Sequence, residues 1–77
     1  MSQTATILLQ ITDRSTGQSL TPIEERVIER QPHESDFDLE YRVKREFLRE
    51  TEDKIKYTPI MRKKLGGRDW GIDSVLL

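Results

Sequence analysis

Cysteine is absent from this chain of 77 residues. That excludes disulfides, cysteine-ligated zinc and iron–sulfur sites, thiol chemistry and Cys-linked lipid. A chain of under 80 residues without a disulfide staple is expected inside the cell, in the cytoplasm. Long apolar runs are missing too. Ile7-Leu8-Leu9 is as long as any, far short of the roughly 20 residues of a membrane-spanning helix. Met1-Ser2-Gln3-Thr4 carries no basic region and no apolar stretch follows it, so no secretory signal is expected. Ser2 in place of glycine removes the N-myristoylation pattern. An excess of one charge is also lacking: 13 Lys and Arg against 14 Asp and Glu give a net charge of -1. Such a molecule has no net field to draw it to nucleic acid.

Histidine is nearly absent. His33 stands alone beside Pro32 in an expected loop, where a solvated side chain is the ordinary outcome. Asp36-x-Asp38-x-Glu40 superficially resembles a calcium ladder. It lacks the turn glycine, and Phe47 stands where the distal glutamate would be. Glu24-Glu25 and Glu52-Asp53 are adjacent pairs, which diverge by about 100° on a helix and do not converge on a substrate. No serine lies in a nucleophile elbow, and Gly66-Gly67 is not a phosphate loop. No catalytic, metal or cofactor site is expected, and the chain does not read as an enzyme.

What is present is enough apolar residue for one small domain over residues 1–77. Leu, Ile, Val and Phe make up 20 of the 77 residues, above the share below which chains stay disordered. Residues 4–12, TATILLQIT, alternate with period two. Ala5, Ile7, Leu9 and Ile11 share one side, and five of the nine residues are β-branched. This predicts a half-buried strand. Residues 13–19, DRSTGQS, form a turn cluster in which Gly17 can take a positive φ. Thr21-Pro22-Ile23-Glu24 has the layout of a capping box and predicts a helix ending before Pro32. The rival is a strand over residues 18–29, paired with the first across the Gly17 turn.

Residues 35–57 hold neither Gly nor Pro. Phe37, Leu39, Tyr41 and Val43 alternate as in a strand, but helix is preferred. Ser35 can cap, Asp36 and Asp38 fall in the first turn, and Lys54 and Lys56 fall in the last. Residues 58–66, TPIMRKKLG, predict a short helical turn with Thr58 as N-cap, Pro59 at N1 and Gly66 after the end. Trp70 and Ile72 then alternate, and Val75-Leu76-Leu77 ends the chain without polar residues, which suggests a docked end. The fold expected is α+β: an N-terminal strand or hairpin packed against a central helix, with a short C-terminal strand. A mainly β domain is the alternative.

Charge is segregated along the chain. Residues 24–53 hold 11 acids and 6 bases, whereas 54–68 hold six bases and no acid. Two functions follow. The first is a small protein-interaction module, a regulator, adaptor or accessory subunit docking on a larger protein. Its contact residues would be Trp70, Ile72, Val75, Leu76 and Leu77, which concentrate apolar area after the Gly66-Gly67 hinge. The second is association with nucleic acid through Lys54, Lys56, Tyr57, Arg62, Lys63, Lys64 and Arg68, where bases stand beside aromatics. Alternatively, the basic segment folds back onto the acidic helix and is neutralised there.

Overall fold

The alternating segment near the N-terminus becomes the centre of a sheet. A computed structural model of the chain describes residues 3–77. In it β1 (Gln3–Asp13) is flanked by β2 (Glu24–Arg30) and by β3 (Trp70–Leu76), both antiparallel to it, in the order β2-β1-β3. Helix α1 (Asp36–Tyr57) and the short α2 (Pro59–Leu65) lie between β2 and β3 in the chain. This is the expected α+β arrangement. Among the described residues no helix is long and apolar enough to cross a membrane.

The period-two pattern of β1 sets the core. Ile7, Leu9 and Ile11 are buried beneath α1 with Leu39, Val43, Phe47, Leu65, Leu20 and Ile72, and Ala5 packs at the margin. Thr6, Leu8, Gln10 and Thr12 face the opposite side, which no helix covers among the described residues, and are only partly shielded. The turn after β1 closes as its residues suggest. Ser15 N donates to Asp13 Oδ1 at 2.8 Å, and Gly17 takes φ +78°.

The helix expected after Thr21 is not formed; β2 takes its place, in line with the rival reading. A helix of about ten residues survives only by packing, and EERVIER has too little apolar surface for that. As a strand the same residues close the second hydrogen-bonding side of β1, pairing Ala5 with Ile28, Ile7 with Arg26 and Leu9 with Glu24. Thr21 therefore caps no helix. Its hydroxyl accepts from Ile11 N at 3.1 Å and so continues the ladder beyond the end of β2.

Helix α1 runs through the ambiguous stretch 36–44. Ser35 caps it, its hydroxyl accepting from Asp38 N at 3.1 Å. Leu39, Val43, Phe47 and Thr51, spaced by four, form the buried stripe. One buried stripe from Leu39 to Thr51 outweighs four alternating residues that would need a further strand to pair with. Arginines fasten α1 over β2, where apolar cover is thin. Arg26 donates to Glu50 through Nη1 and Nη2, at 2.7 and 2.8 Å, and lies over the Phe47 ring at 5.1 Å. Arg30 pairs with Asp36 and Arg42 with Glu34.

Thr58 stands at the N-cap of α2, but its side chain makes no capping bond. Its backbone serves both helices: Thr58 N donates to Lys54 O, and Thr58 O accepts from Arg62 N. Gly66 also departs from expectation. It is the C-cap itself, at φ -63°, and the left-handed residue is Gly67 at φ +79°.

Candidate docking surface

The hydrogen-bond pattern of β1 and β3 decides which groups of β3 remain free. Arg14 N donates to Asp69 O and Leu77 N to Thr6 O. With the register Ile11↔Ile72 and Ile7↔Leu76, residues 69, 71, 73, 75 and 77 turn their backbone groups to β1. Strict alternation then points the N–H and C=O groups of Trp70, Ile72, Ser74 and Leu76 outward, along an open edge.

The same logic applied to β2 leaves Glu25, Val27 and Glu29 facing outward. The two edges differ in chemistry. Five of the seven β2 residues are charged. β3 carries one charge, Asp73. Its carboxyl is held below the ordinary value by the Thr12 hydroxyl at 2.8 Å and by Arg14 at 2.9 Å. Charge discourages strand addition at the β2 edge; the β3 edge has little of it.

Beside the β3 edge runs a groove of about 870 Å³ between α1 and β3, lined by Phe37, Tyr41, Lys44, Leu48, Trp70 and Ile72 among others. Phe37 and Tyr41, one helical turn apart, stack with ring centroids 6.5 Å apart while 75% and 60% exposed. Ser74 Oγ donates to Glu40 Oε1 at 3.2 Å and ties the strand to the helix at the groove. An open backbone edge beside exposed aromatic rings can take an extended segment. In strand addition of that kind a ladder supplies hydrogen bonds and pockets beside it receive alternate side chains.

The five C-terminal residues expected to dock do not form one surface. Ile72 is buried in the core, and Trp70 and Leu76 pack against it on the helix side. Val75 faces the opposite side of the sheet, and Leu77 lies beyond the strand end, 56% and 72% exposed. Trp70 serves core and groove together. Phe37 and Tyr41 were missed as surface residues. Their signal is an apolar arc on α1 of about 200°, wider than one buried stripe requires.

The short helix α2 packs against the end of α1, but among the described residues the basic segment forms no ion pair with the acids of that helix. Three acids of α1 and its approach, Glu50, Asp36 and Glu34, pair with Arg26, Arg30 and Arg42, all from within the same 24–53 segment. Of the basic residues, Arg68 pairs with Asp13 at 3.4 Å. Arg62 donates to the carbonyls of Ile55 and Lys56. Among the described residues Lys54, Lys56, Lys63 and Lys64 enter no ion pair. Tyr57 is exposed with the Lys56 ammonium 5.3 Å above its ring, whereas Trp70 belongs to the groove and not to this basic end.

His33 is exposed at φ +64°, in the turn between β2 and α1. Among the described residues no three His, Asp or Glu side chains are grouped to hold a metal ion. Comparison with protein-family models, curated proteins and solved structures finds no match to this chain.

Proposed function

We propose that this chain is a small protein-interaction module of the cytoplasm, a regulator, adaptor or accessory subunit. It docks on a larger protein by taking an extended segment of that partner along β3. The observation that carries this reading is the difference between the two sheet edges. β2 is charged along its length, while β3 opens its outward backbone groups beside a groove with exposed Phe37 and Tyr41. Strand addition draws affinity from the backbone and selectivity from side-chain pockets, so the small size of the domain is no obstacle.

The test is capture from the native host with the full chain as bait. Ser74→Pro removes an outward N–H that β1 does not use, and Tyr41→Asp places a charge in the groove. Both are expected to lose the captured protein, while Val27→Asp on the β2 edge keeps it. Equal capture by all three sinks the proposal.

One observation favours a second reading, nucleic-acid association through the basic end: among the described residues Lys54, Lys56, Lys63 and Lys64 form no close ion pair, and Tyr57 beside them is exposed. Phosphate neutralisation requires affinity to fall steeply with salt. Titration with nonspecific duplex DNA and with RNA at increasing salt separates the two, since a flat or absent response leaves the docking reading alone.

A further inference from the structure

The β3 edge is open but not wholly bare. Arg14 follows β1 and lies on the sheet face away from α1. From there its side chain crosses the backbone of Gly71 and reaches the far side of β3. Nη2 donates to Ile72 O at 3.2 Å, an outward carbonyl of the open edge. Nη1 donates to Asp73 Oδ1 at 2.9 Å and to Thr12 Oγ1 at 3.2 Å, which fix the guanidinium in place. Gly71 is the seat of this crossing: a Cβ there would collide with Arg14 Nε. The arrangement mirrors the other edge, where Arg42 takes the outward Glu29 carbonyl.

We propose that Arg14 is a displaceable guard of the β3 edge, occupying the Ile72 carbonyl so that a strand adds there only by displacing it. The proposal rests on the reading of β3 as the docking edge and names its regulation. Its first consequence concerns a second copy of the chain. Two β3 strands pairing antiparallel about Ser74 set Ile72 opposite Leu76 of the partner subunit. Ile72 O must then accept from that residue's N–H, and the symmetry makes this demand twice. Of the two neighbouring registers, the one centred on Asp73 places two carboxylates opposite each other and is disfavoured, and the one centred on Val75 leaves only Ser74 and Leu76 to exchange hydrogen bonds. The guard therefore keeps the chain from pairing with itself through an edge that little charge protects. A docking partner must offer enough contacts in the groove to move the guanidinium aside.

The test uses the full chain, with a second copy as the probe, in sedimentation velocity over a concentration series. Arg14→Ala removes the guard. Gly71→Ala displaces it while leaving both charges. Each is expected to strengthen dimerisation by about tenfold or more, the scale of one lost hydrogen bond to a charged group. Adding Ser74→Pro to either is expected to return the monomer. If Arg14→Ala fails to fold, Gly71→Ala decides alone. The guard is overturned if the folded variants dimerise no more than the parent chain, or if their association survives Ser74→Pro. Neither result touches host capture by the parent chain, so failure of the guard and failure of the docking reading are told apart.

Discussion

Replacing Leu65 by alanine tests the least anchored element, the seven-residue α2. Leu65 is fully buried, whereas Ile60 on the same helix is 76% exposed. Removing a buried leucine side chain costs about 2–5 kcal/mol, from lost transfer energy and the cavity left behind. α2 sits at the margin of the core and can sink toward the gap, so the low end, about 2–3 kcal/mol, applies. Against a total near 4–12 kcal/mol for a chain this size, that is a large fraction. It lowers Tm by roughly 10–20 °C. Ile60→Ala removes an equally apolar side chain that is already in water and changes stability by less than about 0.5 kcal/mol. Urea unfolding followed by circular dichroism measures both, with the slope unchanged if only stability moves. Equal midpoints for the two variants, or a greater loss for Ile60→Ala, refute the placement of α2.

Ile7→Asp puts an unpaired charge at a fully buried position of β1 and is expected to cost several kcal/mol; a near-native thermal midpoint contradicts the register. Thr21→Val removes the acceptor of Ile11 N and is expected to cost about 1 kcal/mol, while Thr58→Ala, which loses no capping bond, is near neutral; urea titration of both decides. Arg26 holds the Glu50 carboxyl, and Arg42 the Glu34 carboxyl, below the ordinary glutamate value of 4.5. Because the unfolded chain binds protons first as pH falls, the stability from these groups is complete above about 4.5 and is lost through and below it. Arg26→Met is expected to flatten that acid-side slope in pH-dependent urea midpoints, and an unchanged slope refutes the assignment. Deleting residues 75–77 removes the pairing of Val75 with Leu8, the packing of Leu76 and the bond from Leu77 N to Thr6 O; a thermal midpoint lowered by several degrees is expected.

Some of this molecule is written in local sequence. β1 is legible because alternation and β-branching state both its conformation and its buried side, and one buried face is enough to fix register. The ends of α1 are legible because Ser35, the early aspartates and the late lysines act within a single turn. The Gly17 turn is legible for the same reason. Tertiary structure decided what depends on a distant partner. Thr21-Pro22-Ile23-Glu24 has sound helix-starting chemistry, yet β1 offers a full ladder of hydrogen bonds that a short, poorly packed helix cannot match. Thr58 looks identical in sequence, and there a helix does form, but with its backbone rather than its hydroxyl as the cap. The open β3 edge was legible only as an apolar tail. Which of its residues face the core, and which backbone groups stay open, follows from pairing with a strand some sixty residues away. The contacts of Arg14 with Ile72 and Asp73 carried no local signal, because those residues come near it only when β1 and β3 pair. Capping and alternation are short-range and act before the chain closes on itself, whereas the open edge, the groove and the contact of Arg14 with the Ile72 carbonyl exist only after it has.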